Sequence, residues 1–242
     1  MKKVFSHPKS MRDVSTHYCA GCGHGTAHRL ICEIVDELGI REKIIAIAPV
    51  GCAVIAYDYW DFDCSEAAHG RALAVATAIK RVRPNNIVFT YQGDGDLAAI
   101  GTAETIHAAN RGENLTVVFV NNAIYGMTGG QMAPTTLLGQ RTATTPDGRR
   151  AETEGYPLKV SEILSQLPAV KFLERTSLHS PQEIIKTKRA IKQAFQNQIN
   201  KVGFSLVEIL SPCPTYLDIT PEEALLWLKD VMIKEFPLGR LK

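Results

Sequence analysis

The sequence predicts an α/β protein with a doubly wound, mostly parallel sheet. Apolar runs of strand length, Ile44–Ala48, Ile87–Thr90, Leu115–Val120, Val170–Arg175 and Gly203–Leu210, are separated by stretches with apolar residues at helical spacing. Strands alternating with helices in this way build parallel βαβ units. The stretch Tyr91–Gln131 shows one unit whole. The first run ends at Gly93-Asp94-Gly95, a helical pattern covers Leu97 to about Asn110, and the next run stops at Asn121-Asn122. With 242 residues the chain suits one large domain, 1–242, and is short for two.

In order, residues 1–18 read as an extended arm without sustained period. Cys19-Ala20-Gly21-Cys22-Gly23-His24-Gly25 is a glycine-rich loop, with His24 read as its cap. A helix is expected over Thr26–Leu38, with Leu30, Ile31, Ile34, Val35 and Leu38 on one face and Gly39 as its stop. Cys32 lies inside it as a core or surface thiol. Pro49 ends the first strand and opens a tight loop through Cys52. Residues 57–66, aromatic and acidic and including Cys64, read as an irregular loop or edge. The next helix is expected over Ala67–Arg83, with Ser65 and Glu66 as caps and His69-Gly70-Arg71 in its first turn. Tyr125–Gly130 is a glycine-rich loop, and 139–157 is polar and turn-rich. A helix over Leu158–Leu167 precedes the fourth run. Ser180-Pro181 starts a helix to about Asn200, proline suiting its first position. Ser211-Pro212-Cys213-Pro214 is a third cysteine loop. In the tail, Ala224, Leu225, Leu228, Val231 and Met232 at helical spacing read as a docking or core-covering helix.

Composition excludes several classes. Lys plus Arg (27) barely exceeds Asp plus Glu (25), which leaves no basic surplus for nucleic acid. No apolar run reaches membrane-spanning length, and the N-terminal MKKVFSHPKSMRD has no apolar core of a secretory signal. A cytoplasmic protein is expected. Six cysteines in such a chain argue for metal or redox chemistry over a disulfide framework.

In a right-handed βαβ unit the carboxyl ends of the strands share one edge, so Asp94 and Asn122 are expected close together. A carboxylate and an amide oxygen there suit a hard divalent cation such as Mg²⁺. Gly93 and Gly95 let the backbone approach a phosphate, and a helix N-terminus near Asp96 favours the anion. The loop holding Gly126, Met127 and Thr128 is expected to fold over the ligand. Cys19, Cys22, Cys52 and Cys213 each lie in a Gly- or Pro-containing loop. Gathered at that edge, four thiolates suit zinc or a 4Fe–4S cluster equally, and the CxxC alone suits a redox dithiol.

GDG followed, after a helix and a strand, by NN resembles the thiamine diphosphate motif. The segments CAGCGHG, VGCA, EAAHGRA, GDGD, NNAIYGMTGGQ and SPCPTY, in this order from about residue 17 to 216, resemble the β subunit of the 2-oxoacid:ferredoxin oxidoreductases. The resemblance implies the pyrophosphate-binding half of the thiamine diphosphate-binding fold. It implies Mg²⁺ on the Asp94 and Asn122 side chains and the Ile124 carbonyl. It implies thiamine diphosphate lined by Gly51, His69, Gly93, Asp94, Gly95, Asp96, Asn122, Gly126, Met127 and Thr128, and a proximal 4Fe–4S cluster on Cys19, Cys22, Cys52 and Cys213. Cys32 and Cys64 match no ligand position. His69 either donates to phosphate or is a satisfied structural histidine.

The implied activity is oxidative decarboxylation of a 2-oxoacid, with electrons passing to ferredoxin and the acyl group to coenzyme A. Glu66 and Glu104 read as a cap and a helix residue. The catalytic glutamate is therefore expected on a partner, an α subunit carrying the pyrimidine-binding half, and the chain alone is expected to be inactive. The chain lacks the ferredoxin-like cysteine runs of some relatives, which places further clusters on other subunits, γ and a ferredoxin-like δ. Arg141, Arg149 and Arg150 read as part of a solvated loop or as contacts to coenzyme A phosphates. Two other classes stand beside this one. The complete NN motif weighs against a zinc-stabilised binding module, and the loop cysteines weigh against a non-oxidative thiamine enzyme. Ile55 and Met127 are expected to line an apolar substrate pocket, since neither of their loops holds Lys or Arg. This favours a branched-chain acid such as 2-oxoisovalerate over 2-oxoglutarate or pyruvate. In the other reading these residues are core, and a partner subunit sets specificity.

Overall fold

The computed structural model describes residues 6–242, so residues 1–5 of the expected arm lie outside the described residues. Its strands are β1 (Ile44–Ala48), β2 (Asp63–Glu66), β3 (Ile87–Gly93), β4 (Thr116–Asn121), β5 (Val170–Ser177), β6 (Phe204–Leu210) and β7 (Gly239–Arg240). They stand in the order β2-β1-β3-β4-β6-β5-β7, all parallel except β7, which pairs antiparallel with β5. The helices are α1 (His24–Leu38), α2 (Ala72–Val82), α3 (Thr102–Asn110), α4 (Ala151–Glu154), α5 (Val160–Ser165), α6 (Pro181–Ile199), α7 (Pro214–Leu217), α8 (Pro221–Trp227) and the single turn α9 (Ile233–Glu235). The doubly wound parallel sheet is thus what the chain forms.

The apolar runs of the strands follow from burial on both faces. Along β4, Val118 and Val120 enter one core with Phe89, Tyr91 and the apolar faces of α1 and α6. Val117 and Phe119, the alternate residues, enter a second core with Leu73, Ala76, Ala108 and Leu164. Helix ends follow local chemistry. Gly39 caps α1 at φ 62°, and the Ser180 side chain accepts from Glu183 N ahead of Pro181.

Several boundaries differ from expectation for identifiable reasons. Residues 57–66 contain the edge strand β2, paired with β1, so Ser65 and Glu66 are strand residues rather than helix caps. The helix expected from Ala67 starts only at Ala72. Gly70 blocks it: its φ is +77°, and a Cβ there would lie 2.7 Å from Gly101 N. The helix after β3 opens with a π turn, Gly95–Ile100, before α3. In the tail Ala224, Leu228 and Met232 are buried, the last two with Leu137 and Leu210, but Leu225 and Val231 are exposed. The π winding over Leu228–Met232 rotates Val231 off the face that an unbroken 3.6-residue period assigns it.

One buried polar network ties the sheet to its functional edge. Arg175 Nε donates to Glu208 Oε2 at 2.7 Å, and its other nitrogens donate to both oxygens of Glu162. Glu208 also accepts from Ser161 Oγ at 2.6 Å and from Asn121 Nδ2 at 2.8 Å. Removing the cation would leave a buried carboxylate uncompensated. Arg175→Met is expected to cost about 3–5 kcal/mol of folding stability in urea titration. An unchanged midpoint would show that the network carries no stability.

Candidate functional site

The chain leaves β1 for the edge strand β2 and returns to β3 on the other side of β1. A crevice forms where strand order reverses in this way, at the carboxyl ends. Loops after β1 (Pro49–Ala53), β3 (Gly93–Asp96) and β4 (Asn122–Thr128) line one cleft there, with His24 of α1 and His69 of the turn before α2.

Asp94 is buried at the cleft floor. Its Oδ1 accepts from Gly95 N at 2.9 Å, and its Oδ2 accepts from Ile124 N at 3.0 Å and Thr135 Oγ1 at 2.6 Å. Burial nonetheless pushes its carboxyl up to about 6, against the pull of these hydrogen bonds. With its amide oxygen toward the floor, Asn122 brings that oxygen to 2.8 Å from the Ile124 carbonyl and 3.2 Å from Asp94 Oδ1. Three acceptor oxygens then face one another with no proton among them. Such a set calls for a hard cation; otherwise the amide turns over and its NH₂ donates to both neighbours. The expected Asp94, Asn122 and Ile124 set is thus brought together. Asn121, the other half of the amide pair, turns away to Glu208, and its Oδ1 accepts from Ala123 N at 3.2 Å. Ala123 takes φ 60°, the bend that lets the pair point in opposite directions.

Asp96 lines the cleft, but its carboxylate is turned inward. Its Oδ1 accepts from Gly70 N at 2.8 Å and its Oδ2 from Gln92 Nε2 at 2.6 Å. His69 Nδ1 lies 2.7 Å from Asp96 Oδ1, an ion-pair distance, although the ring orientation gives no aligned hydrogen bond. Asp96 thereby fixes the turn that carries His69 to the cleft wall. Gly95 serves packing: a Cβ there would meet the Tyr125 ring at 2.1 Å. Gly93, in contrast, faces open space. Gly51, Gly126, Met127 and Thr128 all line the cleft as well, with Met127 half exposed.

The four loop cysteines are free, and their thiols lie near enough to act on one another's charge. A Cβ on Gly126 would lie 3.2 Å from Cys52 Sγ and 3.6 Å from Cys213 Sγ. The CxxC loop is tied to the β6 loop by Gly23 N donating to Ser211 Oγ at 3.0 Å. Burial pushes the Cys52 thiol up to about 12, and Cys213, Cys22 and Cys19 push in the same direction. Cys213 is likewise raised by burial, with Cys19 and Cys22 adding to it. Among the described residues, no three His, Cys, Asp or Glu side chains close tightly enough to hold one metal ion. Cys32 is buried in α1 and donates to Ser10 O, and Cys64 donates to Phe62 O, so both are engaged elsewhere.

Some expectations need correction. Ile55 does not line the cleft: successive turns, Val54 N to Gly51 O and Ala56 N to Ala53 O, curl the chain so that Val50 and Ala53 form that wall. Arg149 is neither solvated nor available to a ligand. It is buried, and its guanidinium donates to the carbonyls of Pro134, Thr136, Glu154, Gly155 and Tyr156 at 2.5–3.2 Å. Glu104 is a helix residue, as expected, and pairs with Arg71. His24 does not cap the loop. It is the first residue of α1, buried, with Nδ1 2.8 Å from the Tyr91 hydroxyl, and burial holds it down at about 4. Tyr125 and Thr135 also escaped sequence reading. Their roles depend on contacts with Gly95 and Asp94, some thirty and forty-one positions away.

The family model "thiamine pyrophosphate enzyme, C-terminal TPP binding domain" matches residues 50–209, the segment that holds the Asp94–Asn122 floor. Ketoisovalerate oxidoreductase subunit VorA of Methanothermobacter thermautotrophicus is 54% identical over 100% of this chain and 53% of its own length. 2-Oxoglutarate synthase subunit KorB of Archaeoglobus fulgidus is 37% identical, over 95% of this chain and 82% of its own. Among solved structures, 2-oxoglutarate:ferredoxin oxidoreductase from Magnetococcus marinus, with 2-oxoglutarate, coenzyme A and succinyl-CoA bound, superposes with a TM-score of 0.77 at 29% identity. That match covers 91% of this chain and 72% of the other. The chain belongs to the thiamine pyrophosphate enzymes and, among them, to the family of 2-oxoacid oxidoreductase subunits. It spans about half the length of the VorA relative. Among the described residues, no helix is long and apolar enough to cross a membrane.

Proposed function

We propose that the chain is the catalytic β subunit of a 2-oxoacid:ferredoxin oxidoreductase that forms an acyl-CoA. The observation that carries this reading is the convergence of Asp94 Oδ1, the Asn122 amide oxygen and the Ile124 carbonyl on one point of a buried floor. Those three groups would hold Mg²⁺, with thiamine diphosphate along Gly51, His69, Gly93, Gly95, Asp96 and the Gly126–Thr128 loop. The neighbouring Cys19, Cys22, Cys52 and Cys213 would hold a 4Fe–4S cluster, for which four adjoining thiols are the right donors. When bound, the thiamine supplies an electron sink for decarboxylation, and the cluster accepts electrons singly.

The chain's own residues then have definable tasks. Thr135 and the backbone N–H groups of Gly95 and Ile124 hold the Asp94 carboxylate in place. Asp96 fixes the His69 turn, and the Gly126 backbone lies beside the Cys52 and Cys213 sulfurs, Cys52 itself lining the cleft. Among the described residues, no acidic side chain on the cleft wall is placed to relay a proton to a pyrimidine ring, since Asp94 and Asp96 are engaged on the floor. That glutamate is assigned to an α subunit, with γ and δ subunits and ferredoxin completing electron transfer. Chain 1–242 serves as one cofactor-binding domain, and the complex works in the cytoplasm. The isolated chain is expected to show no 2-oxoacid-dependent reduction of ferredoxin, and the reconstituted complex to show it. Robust activity of the chain freed of partners would overturn the division of labour.

The substrate proposed is a branched-chain 2-oxoacid such as 2-oxoisovalerate. Val50, Ala53 and Met127 line the cleft, no Lys or Arg among the described residues does, and a second carboxylate would be costly to bury there. The VorA relative is named for ketoisovalerate. In the whole complex, kcat/KM for 2-oxoisovalerate is expected to exceed that for 2-oxoglutarate or pyruvate by at least about tenfold. Preference for 2-oxoglutarate would sink the apolar-wall argument and place a cation on the partner.

A further inference from the structure

We propose that His24 presents a fixed Nε2–H donor to the cleft, bonding an acceptor oxygen of the 2-oxoacid, and that Tyr91 is the positioning residue that sets this tautomer. The inference rests on the function proposed above.

Tyr91 is fully buried on β3, and His24 Nδ1, at 2.8 Å, is the one hydrogen-bond partner its hydroxyl has among the described residues. A buried O–H without an acceptor is costly. The hydroxyl therefore donates, which leaves Nδ1 bare and puts the ring proton on Nε2. Among the described residues Nε2 makes no hydrogen bond, and with Nδ1 turned to Tyr91 it is the ring nitrogen left for the cleft that His24 lines. The ring cannot easily turn. Tyr18 stacks on it at 4.9 Å with an 18° interplanar angle, and Tyr91 holds its other edge.

The surroundings indicate what the donor meets. His24 lies on the thiol side of the cleft. Tyr18, which stacks on it, also packs on His17 at 4.6 Å, and a His17 ring nitrogen lies 2.8 Å from the Cys52 carbonyl oxygen. The wall from Pro49 to Ala53 carries no side-chain N–H. An apolar wall with a directed donor beside it suits a small molecule that is hydrocarbon at one end and carries acceptor oxygens at the other, which describes a 2-oxoacid. A pre-oriented N–H gains most where charge develops on the oxygen it faces.

The test uses the assembled, cofactor-loaded complex. His24→Leu keeps bulk and loses the donor; His24→Gln restores an N–H near the Nε2 position; Tyr91→Phe removes only the hydroxyl. His24→Leu is expected to lower kcat/KM about a hundredfold, chiefly through kcat. His24→Gln is expected to recover most of that loss, and thiamine and iron contents to match the native complex throughout. ¹⁵N spectra of histidine-labelled complex, with the His24 signal identified by its loss in His24→Gln, are expected to show the Nε2–H tautomer in native protein and a mixture in Tyr91→Phe. A native Nδ1–H tautomer, native-like turnover in His24→Leu, or Gln no better than Leu at full cofactor load would each overturn the proposal. Absence of thiamine-dependent activity in the native complex would instead defeat the function on which it rests.

Discussion

Asp94→Ala is expected to abolish magnesium-dependent binding of thiamine diphosphate, raising its Kd by at least about a hundredfold, or ~2.7 kcal/mol. The carboxylate is the only charged group of the three that meet on the cleft floor. Without it, an amide oxygen and a carbonyl remain, a weak pair for a strongly hydrated divalent ion. The same substitution strips Gly95 N and Thr135 Oγ1 of an acceptor and leaves Ile124 N only its longer bond to Asn122 Oδ1, so part of the loss would come from a loosened floor. Asp94→Asn separates the two effects in large part, since its amide oxygen keeps an acceptor for Ile124 N and Thr135 Oγ1 while the charge is removed. Its thermal unfolding should stay near native while calorimetry shows magnesium-dependent binding lost. Unchanged cofactor affinity in both variants would remove the central assignment.

Cys213→Ser is expected to lose most of the iron and acid-labile sulfide from anaerobically prepared complex. Ferredoxin reduction should fall by at least about a hundredfold, ~2.7 kcal/mol in activation free energy. Serine is close in size to cysteine, but its hydroxyl does not ionise as a thiol does when it binds metal. Cys213 neighbours the other loop thiols but does not line the cleft, so thiamine and magnesium contents should stay native in the same preparation. Zinc without acid-labile sulfide in native protein kept from oxygen would defeat the oxidoreductase mechanism. It would leave the cysteines as structural ligands, the binding-module reading.

The two expectations draw on residues of unequal legibility. Gly93-Asp94-Gly95 and Asn122 stand out in sequence because each closes an apolar run, and a run's end marks a strand's carboxyl edge. Cys213 stands out only as one of four cysteines in turn-rich loops. Its nearness to Cys52 depends on β6 lying beside β4, a pairing that local spacing does not express. Boundaries failed where a glycine or π turn interrupted a period, as at Gly70 and at Leu228–Met232.

By itself the sequence determined the class of sheet, the order of its elements and the acid and amide of the cleft floor. Hydrophobic period, caps and turn residues act over a few neighbours and are written in consecutive positions. Tertiary structure supplies the reason that Asn122, and not its neighbour, faces the cleft, since Asn121 is claimed by Glu208, 87 positions away. It alone decided that Arg149 is spent on five carbonyls, that Ile55 leaves the wall to Val50 and Ala53, and that His24 reaches the cleft. Each of these outcomes is a competition among hydrogen-bond and packing partners that meet only after the sheet has formed. A buried polar group takes whichever partner the fold brings within reach.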